Sequence, residues 1–167
     1  MKKMTFHPSF LILLCAFTFY SCSSSRSATA SSSHLSKEQR LRQDVVRYAK
    51  EQLGTKYRYG GDTPKGFDCS GFTSYVMNHF NITLSRSSRY QAQEGKKIDV
   101  RNVQAGDLVF YKRSKAGKVF HVSMVIENNR KGIQVIHSTS RGVVIDNISE
   151  SSYWSPKLSS ARDVISK

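Results

Sequence analysis

The sequence predicts an α+β fold, with helices first and a small antiparallel sheet after them. Two textures along the chain carry that reading. Between Ser36 and Gly95 apolar residues recur at helical spacing, with capping residues at the ends of the runs. From Leu108 onward they fall instead into short runs rich in β-branched and aromatic side chains, separated by turn-forming stretches. Helices and strands segregated in this way along a chain pack as separate layers.

Ser36 opens the first helix, and Gln39 is spaced to complete a capping box with it. Leu41, Val45, Val46, Ala49 and Leu53 form the apolar stripe, and Gly54 ends the helix. Residues 55–67 read as a loop rich in Gly, Thr and aromatic side chains. Asp68 is the expected N-cap of a second helix whose apolar face is Phe72, Tyr75, Val76 and Phe80, and Asn81 suits its end. A shorter helix follows Ser85 and stops at Gly95. Strands are expected at 108–111, 119–126, 133–138, 143–145 and 161–165, as an antiparallel meander. The stretches Lys115-Ala116-Gly117-Lys118, Asn128-Asn129-Arg130-Lys131-Gly132 and Ser140-Arg141-Gly142 supply the turns.

With 167 residues the chain has room for one domain with a true core and not for two. The hydrophobic share of 38% and charged share of 23% are those of an ordinary globular protein. The N-terminus differs. Lys2 and Lys3 precede an apolar run over 10–20, too short to span a bilayer as a mature helix and arranged as a secretory signal. Ser21-Cys22 closes the run and Ser23, Ser24 and Ser25 follow, which is the order that lipoprotein processing requires. Phe19 and Tyr20 are bulkier than usual there, and plain secretion with cleavage nearby is the other reading. Residues 1–21 are thus expected to be a lipoprotein signal peptide, with Cys22 as the lipidated residue. Residues 22–36 are the expected Ser-rich flexible tether, and 37–167 the folded domain. A lipid would hold that domain at a membrane surface. Ser23 is not acidic, so the expected location is the cell envelope, at the outer membrane facing the periplasm.

Lys and Arg number 26 against 12 Asp and Glu, a formal +14, and losing Lys2 and Lys3 with the signal leaves 24 against 12, or +12. Such an excess favours anionic partners. Export, scattered basic residues and the lack of a nucleic-acid motif argue against nucleic acid; anionic cell wall or lipid headgroups suit the compartment better. Cys15 leaves with the signal and Cys22 takes the lipid, so Cys69 stands alone, unable to form a disulfide within the chain. It is either an inert buried thiol or a functional one.

Its neighbours favour function. Cys69 falls in the first turn of the second helix, where the helix dipole and unpaired amides favour thiolate over thiol, and thiolate is the form that attacks a carbonyl. Alternation on the 119–126 strand sets Val119, His121, Ser123 and Val125 on one face, with Phe120, Val122, Met124 and Ile126 on the other. Ile133, Val135 and His137 share a face of the next strand. A hairpin would place His121 and His137 on neighbouring strands, giving nucleophile, base and orienter. Either histidine alone is more often a packed or surface residue. His7 goes with the signal, and His34 and His79 fall on tether and helix surface. A zinc site from Cys69, His121 and His137 would lack local metal-site spacing, so no metal and no cofactor are expected.

Phe67-Asp68-Cys69-Ser70-Gly71-Phe72 resembles the nucleophile motif of the NlpC family of papain-like cell-wall peptidases. The resemblance extends through Tyr57-Arg58-Tyr59-Gly60-Gly61, Leu84-Ser85-Arg86-Ser87-Ser88, Gly106-Asp107-Leu108-Val109-Phe110-Tyr111, His121-Val122-Ser123-Met124-Val125-Ile126 and Tyr153-Trp154, in the family's order over about residues 40–165. It implies a papain-like domain with the cysteine helix on a small antiparallel sheet. It further implies a cysteine peptidase cutting peptidoglycan stem peptides, either between D-glutamate and the diamino acid or at the D,D cross-link. By the same resemblance Cys69 attacks, His121 moves protons and His137 orients His121. Tyr57 lies near the oxyanion and substrate, and Asp68 and Ser70 hold the polar stem peptide, often its free amine. The expected partners are peptidoglycan stem peptides and, through the anchor, a membrane; a monomer is expected. Lys56, Ser85 and Ser123 depart from the family pattern and blur the substrate class. A catalytically silent wall-binding module and another papain-like amidase or acyltransferase are the competing readings.

Overall fold

Ser36 caps the first helix as its spacing with Gln39 predicts. In the computed structural model, which describes residues 35–166, Ser36 Oγ accepts from the Gln39 amide at 3.1 Å and the Ser36 amide donates to Gln39 Oε1 at 2.8 Å. The expected signal, Cys22 and all but the last two residues of the expected tether lie outside the described residues. Helix α1 runs Lys37–Lys50 and buries Val45, Val46 and Ala49. Leu53, placed on the same stripe by spacing, lies in the turn beyond the helix and is half exposed. Gly54 leaves the helix at φ +82°, and its amide donates to Val143 O at 2.9 Å.

The expected 55–67 loop contains a small hairpin, β1 (Asp62–Thr63) with β2 (Gly66–Phe67). Two-residue strands leave no periodicity to read in a sequence. Helix α2 (Cys69–His79) begins at Asp68, whose side chain accepts from the Gly71 amide, and Asn81 adopts φ +60° just past its end. Helix α3 is a single turn, Ser88–Gln91. It is locked to α2 by the fully buried Gln91, whose amide nitrogen donates to Ser70 O, Ser74 Oγ and Ser85 O while its oxygen accepts from Thr73 Oγ1.

The strands β3 (Lys96–Ile98), β4 (Leu108–Lys112), β5 (Val119–Asn129), β6 (Gly132–Thr139), β7 (Gly142–Asn147) and β8 (Leu158–Asp163) form one antiparallel sheet in the order β3-β8-β4-β5-β6-β7. The expected meander is therefore β4 to β7; β8 returns to the far side of β4 and carries β3 at its edge. Strand β3 went unforeseen because Lys96-Lys97-Ile98 has no apolar alternation, and only pairing with β8 makes it a strand. Strand β8 ends at Asp163 rather than at the expected 165.

Alternation divides the sheet into two apolar surfaces. Leu108, Phe110, Val122, Met124 and Ile136 pack with Val45, Ala49, Phe72, Val76 and Met77 of the helices. Val109, Tyr111, Val125, Val135 and Ala161 gather on the opposite surface with Ile148 and Trp154. Arg42 ties α1 to the sheet from within. It is 3% exposed and makes ion pairs with Asp107 and Asp163 at 2.8 Å and with Glu38 at 2.9 Å. A buried guanidinium is tolerated only with such complete pairing. No helix of the described residues is long and apolar enough to cross a membrane.

Candidate active site

The site forms where β5 and β6 part. Their ladder runs outward from Met124↔Ile136 toward the hairpin turn. On the other side of that pair, the segment before α2 enters between the strands: Ser138 Oγ donates to Phe67 O at 2.7 Å. Tyr57 is brought alongside by a bridge to Phe67, fixed by Arg58 N to Phe67 O at 3.0 Å and Phe67 N to Lys56 O at 3.1 Å. Thus the residues around Cys69 are placed by backbone pairing rather than by loop chance.

Cys69, the one free cysteine among the described residues, is partly buried. His121 is 7% exposed and His137 fully buried. The Met124↔Ile136 register makes the two histidines diagonal neighbours on one face, and His121 Nε2 lies 3.0 Å from His137 Nδ1. The Trp154 ring covers both, stacked on His121 at 4.6 Å between centroids and 5.1 Å from His137. Cys69 and His121 line one cleft of about 720 Å³ with Ser138, Arg141 and Trp154. A second cleft of about 590 Å³ shares Tyr57, Cys69 and Phe120 with the first and runs past Asp68, Ser70 and Arg86. Both volumes are in the range of small-ligand sites, and the sulfur lies where they meet.

The electrostatics differ from the helix-tip expectation in one respect. Burial pushes the Cys69 thiol up, against the Val122 and Ser70 amides that pull it down. Burial likewise pushes His121 down to about 3, with the neighbouring His137 adding to the effect, and it lowers His137. The reason is position: Cys69 is partly buried rather than held out in water at the helix tip. Burial thus favours the uncharged form of each group, thiol and neutral imidazole. Charging either one alone is costly in this setting.

Asp68 and Ser70 stand beside Cys69 as the sequence places them, but their partner is Arg86. Its guanidinium grips Asp68 through both oxygens at 2.8 Å, donates to Ser70 Oγ at 3.2 Å and to Gly61 O at 2.9 Å. Asp68 also accepts from the Gly60 and Gly71 amides at 3.0 and 2.8 Å. Burial raises its carboxyl, but the Arg86, Gly71 and Gly60 bonds outweigh that and leave it below the usual range. Asp68 is thereby a helix cap and one half of an ion pair. Gly71 is required for this clamp, since a Cβ there would lie 2.1 Å from Gly61 O.

Sequence reasoning missed Asp146, whose Oδ2 lies 3.0 Å from His137 Nε2 and also accepts from Arg141. The available signal was alternation on β7, which sets Asp146 two residues beyond Val144, the partner of His137. The expected strand stopped one residue short of it. Ser123, a departure from the family pattern, is explained by Tyr111, whose hydroxyl is 2.6 Å from Ser123 Oγ in the interior.

The NlpC/P60 family model matches residues 54–163. Over 116 residues the chain is 40% identical to the Murein DD-endopeptidase MepS/Murein LD-carboxypeptidase of Escherichia coli strain K12, covering 68% of this chain and 58% of that protein. Over 124 residues it is 40% identical to the Gamma-DL-glutamyl hydrolase of Bacillus subtilis, covering 72% of this chain and 29% of that one. An NlpC/P60 family protein from Bacillus cereus superposes with a TM-score of 0.69 at 31% identity, over 75% of this chain and 40% of that chain. The match spans little more than half the length of the first relative and under a third of the second. Motif order, fold and similarity agree, and the chain belongs to the NlpC/P60 family.

Proposed function

We propose that this chain is a cysteine peptidase that hydrolyses peptide bonds in peptidoglycan stem peptides through a thioester on Cys69. The observation that carries the reading is the Cys69 sulfur at the junction of two clefts, with His121 lining the same cleft and His137 bonded behind it. His121 takes the thiol proton as sulfur attacks the scissile carbonyl carbon. The Cys69 amide, the first of α2, has no partner within the helix and, with Tyr57, suits the developing oxyanion. His121 then gives its proton to the leaving amine as the C–N bond breaks. Water cleaves the thioester, returning the proton to sulfur. His137 holds the His121 ring, and Asp68 with Ser70, clamped by Arg86, forms the polar wall against which the stem peptide lies. The E. coli relative's name covers D,D-endopeptidase and L,D-carboxypeptidase activity and the B. subtilis relative's covers γ-D,L-glutamyl hydrolysis. A D,L or D,D bond of the stem is the corresponding substrate here.

We assign Cys22 as the lipidated residue after removal of 1–21, with 22–36 as tether. The protein is then a monomer of the cell envelope, at the outer membrane facing the periplasm, and its basic excess favours the anionic wall. Cys22→Ser should move it from the membrane fraction to the soluble fraction.

The catalytic test is digestion of defined muropeptides and whole sacculi by the full chain, with mass spectrometry of the new termini. Wild type should cleave, alkylation of Cys69 should stop it and chelators should not. Cys69→Ala should lose activity by about a thousandfold or more. Digestion that survives Cys69→Ala refutes the mechanism. Wall binding without new termini refutes the enzyme, and cleavage or acyl transfer elsewhere refutes the substrate class.

A further inference from the structure

We propose that Asp146 is a positioning residue that fixes the tautomers of both active-site rings, leaving the bare nitrogen of His121 at Nδ1, the side not taken up by His137. The inference rests on the assignment of His121 as the base of Cys69.

A chain of hydrogen bonds crosses three strands. The β6–β7 register pairs Val135 with Asp146 and His137 with Val144, so Asp146 is the same-face diagonal neighbour of His137. His121, His137 and Asp146 therefore form a diagonal row over β5, β6 and β7, joined by two contacts of 3.0 Å. Burial works against the charge on Asp146, but the bonds from Arg141 and His137 more than offset it and hold the carboxyl below its usual range. It is a carboxylate at neutral pH and has only acceptors to offer. His137 Nε2 must then carry the hydrogen. Since His137 is neutral, its Nδ1 is bare and accepts from His121 Nε2–H. Since His121 is neutral as well, its Nδ1 is left with the lone pair. One carboxylate thus sets the direction of the whole chain of bonds, and only this direction leaves His121 able to take a thiol proton at Nδ1. The reverse direction would put a hydrogen on that nitrogen and make it no base at all.

Arg141 completes the arrangement. It donates to the same Oδ2 that faces His137, so this oxygen is held as an acceptor by two donors. An asparagine at 146 would keep its oxygen toward both donors and preserve the tautomers. An alanine would leave His137 Nε2, in a fully buried ring, with no acceptor, and the two directions would compete.

The test is long-range ¹H–¹⁵N NMR of histidine-labelled full chain, together with kcat and KM on a muropeptide. In wild type His121 and His137 should both show the Nε2–H tautomer. Asp146→Ala should give mixed or Nδ1–H signals and a kcat lower by about 10- to 100-fold, with KM little changed; wrong-tautomer losses at a ring bonded directly to the nucleophile reach about ten thousandfold, and here the effect passes through one more ring. Asp146→Asn should restore the wild-type tautomers and most of the rate. A wild-type His121 with its hydrogen on Nδ1 overturns the proposal. So does Asp146→Ala with wild-type tautomers, or Ala and Asn variants with the same rate. The wild-type spectrum needs neither substrate nor variant, so it stands or falls separately from the Cys69→Ala digestion.

Discussion

Neutral His121 at the centre of the site makes the fold sensitive to acid in a window where few other groups act. Its burial holds the folded-state value at about 3, against an ordinary 6.5. Because the folded value is depressed, the contribution is fully present above 6.5 and is lost as pH falls toward 3, the unfolded chain binding a proton that the folded one refuses. Each unit is worth about 1.4 kcal/mol, so lowering the pH from 6.5 to 4.0 should remove about 3 kcal/mol through this ring alone. Carboxylates with lowered values act mainly below that window, since the ordinary aspartate value is 3.8. The assay is urea unfolding of wild type and His121→Gln at several pH values between 7 and 4. Other titrating groups are common to both proteins and largely cancel in the difference. Wild type should lose about 3 kcal/mol more than the variant over the window, part of which reflects coupling to His137. Parallel curves would refute the claim that the ring is held neutral by burial.

Three further outcomes follow from the packing. Arg42→Ala leaves the buried carboxylates of Asp107 and Asp163 without their cation and should cost about 3–5 kcal/mol in urea unfolding, whereas a change within a few tenths would mean the network is idle. Gly71→Ala drives a Cβ into Gly61 O and toward the Arg86 guanidinium, so it should destabilise by about 1–3 kcal/mol and raise KM by loosening the Asp68 clamp; an unchanged melt and KM would show that the loop yields freely. Tyr111→Phe leaves Ser123 Oγ unpaired in the interior and should cost about 1–3 kcal/mol, while adding Ser123→Ala should recover part of the loss; a double variant less stable than the single would contradict the pairing.

The elements and residues that were legible in the sequence share a local cause. The Ser36–Gln39 box, the Asp68 cap and Asn81 at the end of α2 depend on neighbours a few positions apart, and spacing reveals them. The histidine pair needed only alternation and one hairpin. What stayed hidden depends on distant pairing. Strand β3 exists because β8 returns to it, and the β1–β2 hairpin is too short for a period. Arg86 could be noticed as part of a motif, but its grip on Asp68 and Gly61 joins segments far apart in the chain. Asp146 was lost because a run ending at an aspartate reads as a strand stopping at Ile145, although the ladder continues to Asn147. The burial of Cys69 was hidden for a similar reason: a helix tip argues for thiolate, and only the packing of distant segments around it pushes the thiol up instead.

The proposed mechanism requires Cys69 to carry the acyl half of a cleaved stem peptide. Intact-protein mass spectrometry of the full chain, quenched in acid shortly after mixing with a defined muropeptide, reads that intermediate directly. Wild type should gain the mass of the acyl fragment, the adduct should map to Cys69 and disappear with hydroxylamine, and Cys69→Ala should gain nothing. Product formation by wild type at full rate with an adduct on another residue, or by Cys69→Ala, would contradict it.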